Sequence, residues 1–324
     1  MEAKIKNKEQ RTENKGARAE NREPRTEASP LSVVRRQLQR TTDNGPGTIR
    51  RLLQLWKLYA IMDVIVIAAD LKLGLFYYLS DAILNIAAVT GMLLLADRFA
   101  GIGAWTHDQI IFMLGYATVA NGIVNLFGGY NVGIISRRVG RGQLDHMLVQ
   151  PQPLWMTLLT EGFMPFSSSA VLIPGVGLLA WAISRRGLPI TLGWLALLAL
   201  NLLASAAVML AFSFIWGSLA FWAPRAAEEV SSSAINMLTQ LKVFPLDGLG
   251  PLLLGGLLTF LPVGFVAWYP CRALLGVDRS PWGGWLTPLV ALLLALLAAG
   301  VFYKGMQRYA RTGSQHYSGF GHRG

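Results

Sequence analysis

The stretch ITLGWLALLALNLLASAAVMLAFSFIW, residues 190–216, carries no charged side chain. The hydrocarbon core of a bilayer, ~30 Å thick, is crossed by about 20 helical residues, so this stretch is long enough to span it. Outward from it, residues 163–183 and 110–127 read the same way toward the N-terminus, and 285–303 toward the C-terminus. Residues 73–95 make a further span, interrupted by Asp81 and Asn85. Residues 52–69 are apolar but cut by Lys57 and Asp63 and followed by Asp70, so they are expected to lie along the interface as an amphipathic helix. Between Pro224 and Pro281 two readings compete. Residues 226–244 are polar for a span, whereas 251–275 are apolar but contain Pro251, Pro262 and Pro270.

Composition agrees with a membrane chain. Of 324 residues, 53% are hydrophobic and 15% charged, against roughly 25% charged in soluble domains. The single cysteine, Cys271, excludes an intrachain disulfide and a metal-thiolate cluster. The net charge of +11 marks cytoplasmic flanks in such a chain, so nucleic acid is not an expected partner. Seven tryptophans, among them Trp105, Trp155, Trp181 and Trp194, sit near proposed span ends, where indole rings prefer the headgroup level.

Basic residues in short loops set the orientation. Arg137, Arg138 and Arg141 follow the second span, and Lys304, Arg308 and Arg311 follow the last, which places both regions and both termini in the cytoplasm. That parity requires an even number of crossings, so the region from Pro224 to Pro281 has to contribute one. Arg185 and Arg186 face outward in this scheme and violate it. Residues 1–48 interleave Lys, Arg and Glu with hardly an aromatic residue and are expected to be a disordered tail. The membrane domain then covers 49–312, and 313–324 form a cytoplasmic tail.

Two chemistries can be tested. No Gly-Lys dipeptide occurs in the chain, so a P-loop for ATP phosphates is absent. His107, His146, His316 and His322 are scattered without metal-ligand spacing, and no metal site is expected. Glu228 and Glu229 form a carboxylate pair that could activate water, but no Arg or His follows within two helical turns. An acidic pair near a helix start at the membrane surface is the plainer account.

The loop after the second span reads IISRRVGRGQLDHMLVQP, residues 134–151. Its Gly142, Leu144, Asp145, Leu148 and Pro151 resemble the G-x-L-D-x-x-L-x-x-P pattern between the second and third spans of type-2 ABC exporter permeases. Residues 244–276, FPLDGLGPLLLGGLLTFLPVGFVAWYPCRALLG, with Pro245, Pro262 and Pro270, are similar to that family's segment after the fifth span. The tail GMQRYARTGS, residues 305–314, is similar to the R-Y-x-x-x-G ending of one bacterial branch.

The resemblance implies an all-α membrane protein of six spans, with an N-terminal interfacial helix, a cytoplasmic coupling helix and a re-entrant helical pair before the last span. Residues 226–244 become the fifth span and 248–275 the re-entrant pair on the outer side. It implies two permease chains, as a homo- or heterodimer in the bacterial inner membrane, above two copies of a separate ATPase subunit. ATP and Mg are bound by that subunit and no cofactor by this chain. The ATPase-coupling residues are then Arg138, Arg141, Gly142, Leu144, Asp145, Leu148 and Pro151, with Leu144, Met147 and Leu148 forming the apolar side of a short helix that docks in a groove of the ATPase. Gly142 permits a sharp turn, Asp145 suits the helix start, and Pro151 stops it. Asp81, Asn85, Glu228 and Glu229 are expected at the pathway or the permease interface, because ionisable groups facing lipid are costly. Two rival readings are an integral membrane enzyme acting on a lipid or lipid-linked substrate through Asp81, Glu228 and Glu229, and a scaffold that binds partners but moves nothing.

Overall fold

A computed structural model describes residues 48–98, 105–140, 143–150, 152–188, 190–247, 249–277 and 282–312. Except for Thr48, which opens a helix, both expected tails lie outside these residues, as do Arg141, Gly142 and Pro151 of the loop. The chain is an all-α integral membrane protein. Its helices are α1 (Thr48–Ala69), α2 (Leu71–Arg98), α3 (His107–Gly140), α4 (Leu144–Leu148), α5 (Leu154–Thr160), α6 (Pro165–Arg186), α7 (Leu192–Gly217), α8 (Pro224–Leu241), α9 (Pro251–Thr259), α10 (Trp268–Leu274) and α11 (Gly283–Thr312). Helix boundaries follow local chemistry. Pro165, Pro224 and Pro251 each open a helix, where the missing N–H costs nothing. Thr191 caps α7 by accepting from the Trp194 amide at 3.2 Å, and Gly187 ends α6 at φ 57°.

The bundle is organised by α3, the most deeply buried helix. Against α6 it presents glycines seven residues apart. A Cβ at Gly115 would lie 2.7 Å from the Leu179 amide nitrogen, one at Gly122 2.5 Å from Leu172 Cδ2, and one at Gly129 2.6 Å from Met164 Cε. From the other side, a Cβ at Gly175 would lie 2.9 Å from Thr118 Cγ2. Small residues let two backbones approach where apolar solvent provides no hydrophobic drive, and dispersion does the joining. Helix α7 packs on α3 as well, with the buried Tyr116 hydroxyl 2.9 Å from Ser205 Oγ.

The spans give the bundle two ends. At the basic end, Arg137 and Arg138 close α3, and Ile135, Val139, Leu144, Leu148, Phe221, Met306 and Tyr309 share one core. At the far end, the Asp247 carboxylate accepts from Trp105, Trp268 and Arg272, and the Trp194 indole donates to Leu274 O at 3.1 Å. Helices α9 and α10, with a 3₁₀ turn Pro262–Phe265 between them, are bent by 69°. Asp247 and Arg272 tie the two arms together at the far end, while Val263 and Val266 reach Val124, Val208 and Leu238 in the middle of the bundle. A segment that enters and leaves from one end is the re-entrant pair. Pro262 and Pro270 are buried in it, and Pro245 is buried just before it. Protein covers the backbone that this proline-rich path leaves irregular.

Among the described residues, six helical segments are long and apolar enough to cross a membrane, and their identity differs from expectation. Thr48–Ala69 qualifies by length and composition, whereas α8 does not. The contacts of α1 nevertheless lie across the basic end: the Trp56 indole donates to Leu159 O at 3.4 Å and stacks on Phe163. Asp63, only 8% exposed, accepts from the Phe166 and Ser167 amides at 2.8 and 3.1 Å and from Ser167 Oγ. The charge that interrupts the apolar run therefore caps the N-terminus of α6, as a carboxylate beside a helix start should. Asp63→Ala is expected to lower stability by ~2 kcal/mol and expose α1 to protease, with Asp63→Asn losing less. Thermal unfolding in detergent with limited proteolysis reads both.

The segment expected as the fifth crossing is built unlike an apolar span and is not a candidate span by length and composition. Helix α8 runs antiparallel to α3, from the Arg137–Glu228 pair at 2.6 Å, past Ser136 and Ser231, to Lys242 on Asn121. Its helix stops at Leu241, beside the middle of α3, and the chain reaches Asp247 at the far end through a turn at Lys242 and Val243 and a bend at Phe244. The polarity of residues 226–244 is thus resolved by packing: Ala227, Ser231 and Leu238 are buried and the opposite face is exposed.

Candidate functional site

Two arrangements stand out, a short helix at the basic end and a polar seam within the bundle. The short helix α4 forms where the loop motif lies. Leu144, Met147 and Leu148 are all but fully buried, packed with Ile135, Val139, Phe221, Met306 and Tyr309 of the same chain. This corrects the expectation that their apolar side docks on a partner: that side fixes α4 to its own bundle, because the core beneath it would otherwise be open. The face left outward carries Gln143, Asp145, His146 and Val149, the last 73% exposed.

Two contacts lock this helix. The Tyr309 hydroxyl donates to Asp145 Oδ1 at 3.0 Å, which joins the loop motif to the R-Y-x-x-x-G tail. Arg138 bridges Glu161 at 2.6 Å and lies 3.5 Å from Met147 Sδ, tying the end of α3 to the segment after α5. The first of these could have been guessed from the co-occurrence of two motifs; nothing in the sequence pointed to Glu161. Glu228 is placed away from any interior path, because its pairing with the half-exposed Arg137 keeps it at the basic end. Glu229 is exposed beside it. Both carboxylates lie at the surface of the single chain, the position the plainer account of that pair gives them.

Asp81 and Asn85, four apart on α2, separate into different cavities. Asp81 is exposed and lines a cavity of about 530 Å³ near the basic end with Asp70, Tyr77, Tyr78 and Ser167. Asn85, whose amide donates to Asp81 O at 2.7 Å, lines a second cavity of about 340 Å³ with Thr118, Asn121, Gln240 and Lys242. A third, of about 160 Å³, shares Asn121 and Thr239 with it and adds Asn125 and Ser213. The last two form a polar seam along α3 and α8. Sequence reading missed its central residues, Lys242 and Asn121. The signal was present: an ionisable residue within a crossing is a functional position by default, and Asn121 and Asn125 repeat the four-residue spacing already noticed for Asp81 and Asn85.

Among the described residues, no group of His, Cys, Asp and Glu could hold a metal ion. The arrangement offers hydrogen-bonding groups in cavities along α3 and an outward helix face at the basic end.

The family model described as ABC-2 family transporter protein matches residues 82–313. No curated protein and no solved structure matches the chain. The matched region contains most of α2, the α4 motif, the polar seam, the re-entrant pair and all of α11, and the chain is accordingly a multi-pass transport permease belonging to the ABC-2 transporter family.

Proposed function

We propose that this chain is the membrane-spanning subunit of an ATP-driven exporter, paired with a second permease in the bacterial inner membrane and powered by two copies of a separate ATPase subunit that binds ATP and Mg. The basic end is the cytoplasmic end, and both termini are on that side. The observation that carries the reading is the construction of α4: one side is locked into the core of α3 and α11, and the other side is turned outward at the basic end. A helix so held transmits a push to the bundle instead of yielding to it. ATP binding closes the ATPases, moves α4, and shifts the permease pair between two arrangements, a two-state equilibrium biased by nucleotide. Coupling residues in this scheme are Asp145 on the docking face, Leu144 and Leu148 as the weld, and Arg138 as a strut, with Arg141, Gly142 and Pro151 shaping the loop.

The exposed polar face of α8 and the scarcely buried α2 are where the second permease sits. Leu75, Phe76, Leu79, Ile83 and Leu84 of α2 are all exposed in the single chain, and Asn85, Asn121 and Gln240 supply hydrogen bonds along the path between the two chains. A photo-crosslinking residue at Val149 is expected to form an adduct with an ATPase subunit in intact membranes, and one at Leu252, 93% exposed at the start of α9, is expected to form none. The reverse pattern would exclude α4 as the coupling element.

A further inference from the structure

We propose that the cavity between α2, α3 and α8 binds the anionic head group of an amphiphile, a phosphate or carboxylate on a hydrocarbon chain, with Lys242 as its counter-charge. That this ligand is the exported substrate rests on the permease reading above; the binding itself does not.

Lys242 is 5% exposed, and its Nζ donates to Asn121 Oδ1 at 2.6 Å. An ammonium carries three donors and Asn121 accepts one. Among the described residues, no carboxylate lies within 4.0 Å of that nitrogen, the four ion pairs being elsewhere. A buried charge without a counter-charge costs several kcal/mol, and an incoming anion removes that cost. The cavity lining contains no acidic residue at all. With its carbonyl oxygen taken by Lys242, Asn121 keeps its amide N–H groups for a ligand, and Gln240 adds a second amide.

The hydrocarbon part follows from the other walls. Val89, Leu114 and Val243 line the same cavity, so a bare inorganic anion would lose its hydration against apolar surface and gain little there. An alkyl chain buries that surface instead. The volume, about 340 Å³, falls in the range of small-molecule sites, ~300 to 1,000 Å³. Its depth also fits a substrate in transit: Asn121 is 14 residues from the far-end start of α3, ~21 Å along the helix axis. A cation is excluded by the lysine itself.

The test uses the full chain, reconstituted in phosphatidylcholine nanodiscs, with radiolabelled dodecyl phosphate as probe and no ATPase present. Lys242→Met is expected to weaken binding by more than ~10-fold and Lys242→Arg by less than ~3-fold. Asn121→Asp keeps the lysine and the cavity shape but places a carboxylate on its Nζ, so it is expected to weaken binding as much as Lys242→Met. Excess inorganic phosphate is expected not to displace the probe. Unchanged binding in Lys242→Met or in Asn121→Asp, or no saturable binding by the native chain, overturns the site; displacement by inorganic phosphate overturns the amphiphile as its ligand. These results stand apart from the permease reading, which fails only if no ATPase subunit joins the chain.

Discussion

Gly115→Leu is expected to abolish the folded chain, measured as loss of a monodisperse, heat-resistant species after detergent extraction. The reason is a backbone contact. A Cβ at position 115 would sit 2.7 and 2.8 Å from the Leu179 amide nitrogen and Cα, and a packed helix backbone cannot swing aside as a side-chain tip can. Overpacking a core costs ~1 to 3 kcal/mol where side chains can adjust, so alanine is expected at the upper end of that range and leucine beyond it. The same glycine spacing continues at Gly122 and Gly129, which means the clash pries apart α3 and α6 along their length. Gly177→Leu is the control: no atom lies within 4 Å of a Cβ there, so near-native stability is expected. Equal stability of the 115 and 177 variants would show that α3 and α6 do not meet at these glycines.

Asp145→Arg is expected to reduce ATP-driven export by more than ~10-fold, equivalent to ~1.4 kcal/mol of lost coupling, with membrane insertion and chain abundance unchanged. The substitution removes the acceptor for Tyr309 and reverses the charge on the face proposed to meet the ATPase. Tyr309→Phe removes the hydrogen bond alone and is expected to cost less, ~1 kcal/mol for a part-buried hydrogen bond. Span hydrophobicity is untouched by either change, which is why insertion survives. Native export in Asp145→Arg vesicles would remove Asp145 from the coupling machinery.

Much of the fold was legible because hydrocarbon thickness imposes a length on apolar runs, and residues 110–127, 163–183, 190–216 and 285–303 carry that signal without interference. The fifth crossing was not legible from hydropathy, since α8 is covered on one side by α3 and left polar on the other; only its position between the loop motif and the proline-rich segment suggested it. Asp63 misled in a different way. Read as a charge against apolar surroundings it lowers the case for burial, yet two backbone amides and a hydroxyl at the start of α6 are waiting for it. Hydrogen-bond partners 103 and 104 residues away leave no trace in local pattern.

The functional residues divide along the same line. The loop motif was read correctly as a short helix, but which side is left outward depended on the core formed by Ile135, Phe221 and Met306, residues from three distant segments. Lys242 was legible in principle as a cation within a crossing, and its importance emerged only when α8 was seen to end against Asn121.

The central claim, a permease driven by a separate ATPase, is tested most directly by purifying the tagged full chain from its native membrane under mild detergent and identifying what comes with it. The account predicts a stoichiometric ATPase subunit whose recovery falls when Asp145 is replaced by arginine. A chain that purifies alone and turns over a lipid substrate by itself would contradict it.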